Sequence, residues 1–345
     1  MDKIINLGIP HVGELIFESI DTPGLIKCLE VSETWRELAE NVLIKRWKGK
    51  MFEACKSGET KIVQLLLECC NSEKSGLHSI DEYGYTALMW ACQNGHKDVV
   101  QLLLENSERI ELNAISNHRW TAFRTWKNQR WTAVMLACSN RHTDVIKLLL
   151  DHSEIELNLK DNGGMTAFIH ACRNGHKDVV KLMLDHSERI ELNERSSNGY
   201  TAFMIACLNG HKEVVQFLLD HSESIDMNAR SNDGRNAFME ACYHGRKDVV
   251  KLLLEYSEQN IDLNIEENDL IAALMTAPPR SFGEAPRRGH HDIVQMIKPK
   301  LSFSSQLTFF TSTSSCFPIF LLLFSVLYTY ILIFLSHSFS ELKFF

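Results

Sequence analysis

The sequence predicts an all-α solenoid of stacked helix–turn–helix repeats with projecting hairpin fingers, a small helical module before it and a hydrophobic C-terminal helix after it. Three observations carry this. A phrase recurs five times: Thr-Ala, a large apolar residue, Ala-Cys, two residues, Gly-His, Asp/Glu-Val-Val and a leucine-rich run. Its copies open at Thr86, Thr132, Thr166, Thr201 and Asn236, in steps of 46, 34, 35 and 35 residues, and a period in the thirties marks stacked repeats. The stretch before Met51 does not fit the phrase, and Leu301 to Ser340 contains no Lys, Arg, Asp or Glu.

One copy, Gly199 to Asn228, shows how the phrase folds. Thr201 suits a helix N-cap, its hydroxyl accepting from first-turn amides. Ala202, Phe203, Ile205, Ala206 and Leu208 follow in a short apolar helix. Asn209-Gly210 stops it, glycine supplying the left-handed conformation of a helix C-terminus. His211 to Asp220 form a second helix, with Val214, Val215, Leu218 and Leu219 at helical spacing. Arg230-Ser-Asn-Asp-Gly234 is turn-rich and predicts the next finger.

Two antiparallel helices and a projecting turn in about 33 residues resemble the ankyrin repeat, from about Lys50 to Lys298. The family's Thr-Pro-Leu-His reads here as Thr86-Ala87-Leu88-Met89 and Thr201-Ala202-Phe203-Met204, so the histidine that ties that family's repeats together is missing there. A first copy without a hairpin opens at Met51-Phe52-Glu53-Ala54-Cys55 and runs into Ile62–Leu67. Two copies are disturbed. Asn117-His118-Arg119-Trp120-Thr121-Ala122-Phe123 returns 11 residues later as Asn128-Gln129-Arg130-Trp131-Thr132-Ala133-Val134, a tandem duplication between finger and helix. It reads either as a longer aromatic finger carrying Trp120, Trp126 and Trp131 or as a disordered loop or gene-model error. The seventh copy breaks at Pro278–Pro286 before Arg288-Gly289-His290 resumes, which predicts a degenerate terminal repeat. Arg141 stands where the turn expects glycine, at about 1 kcal/mol if the left-handed turn is kept.

The first 48 residues predict three short helices closing on a tryptophan. The order Ile9-Pro10, Leu15-Ile16, Leu25, Leu29, Val31-Ser32 and Trp35 resembles the F-box over Leu7–Trp47, although His11 stands where that family has an acidic residue. The resemblance implies docking on the Skp-type adaptor of a cullin-based ubiquitin ligase, with Ile9, Pro10, Leu15, Ile16, Leu25, Leu29, Val31 and Trp35 as the hydrophobic signature. A plain capping bundle is the alternative.

The net charge of −8 argues against nucleic acid, which prefers a basic face. Six of the ten cysteines, Cys55, Cys92, Cys138, Cys172, Cys207 and Cys242, follow alanine at one repeat position, which predicts a buried column of free thiols in a reducing compartment. His96, His142, His176, His211 and His290 recur once per repeat, too far apart to converge on one metal ion. Phosphate loops, nucleophile elbows and Cys-x-x-Cys pairs are missing from the sequence, so no enzyme activity, metal or cofactor is expected.

Binding specificity should lie where copies differ. Those positions are Gln93, Ser139, Arg173, Leu208 and Tyr243 before the turn, and Tyr83, Tyr85, Trp90, Lys160, Asp161, Met165, Arg195, Tyr200, Arg230 and Arg235 around the fingers. Their aromatic and arginine content suits a protein interface.

The expected domains are residues 1–48, repeats over 49–300 and a hydrophobic tail over 301–345. Residues 316–335 are long enough to span a bilayer, and Lys298 and Lys300 before them keep the repeats cytosolic. The other reading of this Ser/Phe/Leu/Thr-rich tail is translated T-rich DNA. Function is then that of a non-catalytic adaptor in the cytoplasm, or on the cytosolic face of a membrane, presenting a protein substrate to a ligase; the alternative is a scaffold with no ligase role.

Overall fold

A computed structural model of the chain describes residues 16–47, 50–69, 80–116, 130–259, 288–297 and 299. Among these the regular structure is helical, with no strand. After helical residues 16–19, two helices follow, α1 (Thr22–Cys28) and α2 (Glu33–Trp47). Helix pairs follow: α3 (Met51–Ser57) with α4 (Thr60–Cys69), α5 (Ala87–Asn94) with α6 (Lys97–Glu105), α7 (Ala133–Ser139) with α8 (Thr143–Asp151), α9 (Ala167–Asn174) with α10 (Lys177–Leu184), and α11 (Ala202–Asn209) with α12 (Lys212–Leu219). After Gly234 the chain forms a second compact unit, containing α13 (Ala237–Tyr243), α14 (Lys247–Gln259) and α15 (Arg288–Ile297).

In the first unit the inner helices α3, α5, α7, α9 and α11 pack in sequence, and so do the outer helices α4, α6, α8, α10 and α12. Each inner helix after α3 starts as the sequence predicts. The hydroxyls of Thr86, Thr132, Thr166 and Thr201 accept from the amides of Met89, Met135, Ile169 and Met204 at 3.2–3.4 Å, satisfying donors that a helix N-terminus otherwise strands. Gly58, Gly95, Gly175 and Gly210 end α3, α5, α9 and α11 with positive φ. Arg141 takes φ 63° at the same turn, and its guanidinium meets Asp178 at 3.0 Å. This exposed pair offsets part of the left-handed strain of about 1–2 kcal/mol.

The core forms columns. Cys55, Cys92, Cys138, Cys172 and Cys207 are fully buried and free, and Phe168, Phe203, Val179 and Val214 are buried as well. Burial disfavours the thiolate, pushing Cys55 and Cys138 up to about 12 and Cys92, Cys172 and Cys207 higher than usual as well. The thiolate is the nucleophile, so these thiols should resist alkylation in the native protein and react once denaturant is added. Peptide mass mapping checks this, and native labelling of Cys172 would contradict it.

Asparagines not singled out from the sequence tie neighbouring repeats. Asn113 donates to the Glu154 carbonyl at 2.9 Å and accepts from the Glu156 amide at 2.8 Å. Asn158 and Asn193 do the same one and two repeats on. The recurring Leu-Asn was the sequence signal.

The residues on either side of the duplication are joined as a finger base is. In regular copies the finger base closes by an N–H to C=O bond across four residues, Asp81 to Tyr85 and Asp161 to Met165 at 3.0 Å each. Ser116 and Trp131 make the same bond at 2.9 Å, and the Ser116 hydroxyl accepts the Trp131 amide at 2.9 Å. Residues 117–129, with Trp120 and Trp126, are outside the described residues.

At the N-terminus, Phe17 packs edge-on against Trp35 with centroids 5.5 Å apart, over buried Leu25, Ala39 and Leu43. Arg46 on α2 caps the opposing carbonyls of Glu18 and Ile20 at 3.2 and 3.0 Å. Helix α2 packs on α4, and Glu30 pairs with Lys61, so the module sits directly on the first repeat.

In the second unit, Asn236 caps α13 by accepting the Met239 amide at 2.9 Å. The resumed pattern at Arg288 is helical as α15, which packs on α14 with Lys247 2.7 Å from Asp292. Residues 278–286 and 301–345 lie outside the described residues. Among those described, no helix is long and apolar enough to cross a membrane.

Candidate protein-binding face

The repeated histidines explain how the repeats hold register. Nε2 of His96, His142, His176 and His211 lies 2.8–3.0 Å from the carbonyls of Lys56, Gln93, Ser139 and Arg173, each in the preceding repeat. A carbonyl only accepts, so Nε2 carries the proton. The missing histidine of the inner helix is thus compensated by one at the start of the outer helix. Among the described residues no group of three or more His, Cys, Asp or Glu could hold a metal ion.

The variable positions around the fingers separate into two kinds. Some bond within and between the fingers. Asp161 is buried; its carboxylate accepts the amides of Gly163 and Met165 at 2.8 Å each and lies 2.9 Å from Nε2 of His170. Burial raises the Asp161 pKa, but these hydrogen bonds outweigh it and hold the carboxyl below its ordinary value. Lys160 pairs with Glu194, which with Glu191 holds the Glu194 carboxyl low. Arg195 donates to the Gly199 carbonyl at 3.1 Å and to the Arg230 carbonyl, and Arg230 donates to the Gly234 carbonyl at 3.1 Å. These residues brace fingers.

The others present surface. Tyr85, Met165 and Tyr200 are half-buried at one repeat position, with Trp131 in the same row. Trp131 lies against His170, centroids 4.6 Å apart. Tyr83 is 46% exposed, and Tyr83 and Tyr85 meet Trp90 at centroid distances of 6.1 and 5.1 Å. The charge and hydrogen bond of Glu82 push the Tyr83 hydroxyl up, while burial and then Asp81 push up Tyr85. Gln93, Ser139 and Leu208 are half-buried along the inner helices and Arg173 is exposed, its guanidinium 3.9 Å from the Met165 sulfur. In the second unit Arg235 stacks over Tyr243 at 4.5 Å and reaches the buried Glu240 at 3.5 Å.

Lys56, Asp81, His170 and Glu240 were not singled out from the sequence. The available signal was variation four residues after each N-cap: Trp90, Leu136, His170, Ile205 and Glu240.

Of the N-terminal signature, Leu25 is buried, Ile16, Leu29 and Trp35 are half-buried and Val31 is 57% exposed. Ile9, Pro10 and Leu15 lie outside the described residues.

No curated protein matches the chain. The family model described as ankyrin repeats (3 copies) matches residues 50–116, 114–196 and 188–267. These matches span more than half of the sequence and coincide with the capped helix pairs and braced fingers above. The chain therefore belongs to the ankyrin-repeat family and is a protein-interaction scaffold.

Proposed function

We propose that this scaffold is the substrate-recognition subunit of a cullin-type ubiquitin ligase, acting in the cytoplasm. The F-box-like head docks the Skp-type adaptor and the repeats hold a protein substrate. Bond formation in this reading belongs to the ligase and not to this chain. The observation that supports it is the seating of α2 on α4 with Val31 left exposed. A head fixed to the first repeat transmits substrate orientation to whatever binds it.

The test is co-purification of the full chain with the Skp-type adaptor. Ile16→Asp/Trp35→Ala should abolish it. Val31→Asp, at an exposed position, should abolish it without shifting the thermal melt. An intact head that binds no adaptor would sink the proposal. A second reading, a scaffold tethered to a membrane with no ligase role, is favoured by the uncharged sequence from Leu301 to Ser340.

A further inference from the structure

The second repeat carries Trp90 where other copies carry Leu136, His170, Ile205 and Glu240. One face of this indole already holds a cation: Nζ of Lys56 lies 4.5 Å from the ring centroid, and no carboxylate pairs with it among the described residues. Asp81 accepts the indole N–H at 2.7 Å, which polarises the ring and strengthens its attraction for positive charge. Tyr83 and Tyr85 stand at 86° and 61° to the indole, and Glu82 lies beside the exposed Tyr83. Gln93 follows Trp90 by three residues on α5, hence on the same helical face. Among the described residues its Oε1 is buried with no hydrogen-bond partner, and so is Oγ of Ser139, at the equivalent position one repeat on.

The unpartnered buried amide oxygen of Gln93 asks for a donor, and the aromatic face with Asp81 and Glu82 asks for positive charge. An ammonium meets the second demand but is compact and strongly hydrated. A guanidinium meets both: it is planar, weakly hydrated, stacks on an indole and carries five N–H donors around its edge.

We propose that the Trp90 face is an anchor site for an arginine side chain of the bound protein, with Lys56 as its resident placeholder in the free chain. This rests on the protein-interaction reading and is independent of the ligase assignment. A bound arginine displaces the Lys56 ammonium from the ring and donates to Gln93 Oε1, while Asp81 and Glu82 supply opposite charge.

The probes are short Gly/Ser peptides that differ only in a central Arg, norleucine or Glu, titrated into the full chain while indole N–H signals are followed by NMR. Trp90→Phe assigns the signal. The Arg peptide should shift it saturably and bind about tenfold more tightly than the norleucine peptide. Lys56→Ala should tighten Arg binding several-fold by vacating the ring, and Gln93→Met should weaken it with no change in urea midpoint. Equal binding of Arg and norleucine, preference for Glu, or weaker Arg binding after Lys56→Ala would each overturn the site. Adaptor co-purification reads the head alone, so failure here is distinguishable from failure of the ligase reading.

Discussion

Replacing Asp161 with Ala lowers the unfolding free energy by about 3 kcal/mol or more, because three buried donors lose their acceptor at about 1–3 kcal/mol each, read as a fall in urea midpoint at unchanged slope. The substitution strands two backbone amides and the His170 ring, all of which now donate to one carboxylate. The side chains of Asp161 and His170 are only 5% and 3% exposed, so water cannot replace the lost acceptor without opening the finger. Asp161→Asn should cost much less, because its amide oxygen still accepts both backbone N–H groups. The two variants also separate charge from shape. The folded pKa of Asp161 is depressed, so its contribution is complete above the unfolded value of about 3.9 and is lost as pH falls from there through the folded value. The parent chain should therefore lose stability below about pH 4 more steeply than the Asn variant. Identical acid slopes would show that the charge on Asp161 contributes nothing.

A second large effect is expected at the turns, where two glycines with similar backbones should respond unequally. Gly175 and Gly234 have φ of 73° and 77°, so alanine at either costs about 1–2 kcal/mol in backbone strain. Among the described residues an added Cβ at Gly234 meets nothing within 4 Å, whereas at Gly175 it would lie 2.5 Å from Nδ1 of His211. That ring must move, and its 2.8 Å hydrogen bond to the Arg173 carbonyl goes with it, adding about 1–2 kcal/mol. Urea denaturation should place Gly175→Ala clearly below Gly234→Ala. Equal losses would show that the imidazole yields freely and does not set repeat register.

These residues show how much of the molecule was legible in advance. Thr201, Gly210 and the Ala-Cys column obey rules that act within a few residues: a hydroxyl caps its own first turn, a glycine supplies its own φ, and apolar spacing selects its own buried face. The repeat, its helix starts and stops, and the burial of the cysteines were therefore readable. The roles of His211 and Asn158 were not, because their partners lie a repeat away along the chain. Lys160 and Asp161 illustrate the same limit. Adjacent in sequence and equally polar, one is exposed and the other buried, a choice made by His170 and two backbone amides. The duplicated segment resembled a disrupted copy, yet Ser116 and Trp131 on either side of it make the bond that closes the regular finger bases.

The sequence by itself determined the all-helical repeat architecture, the free-thiol column and the membership of a protein-binding family, because each follows from local periodicity. Tertiary structure alone decided which signature residues of the head face out, with Leu25 inside and Val31 outside, and which variable positions remain for a partner. It also placed Lys56 on the Trp90 ring across a repeat boundary. Burial and hydrogen-bond completion depend on neighbours brought together by stacking, and a one-dimensional pattern does not contain them.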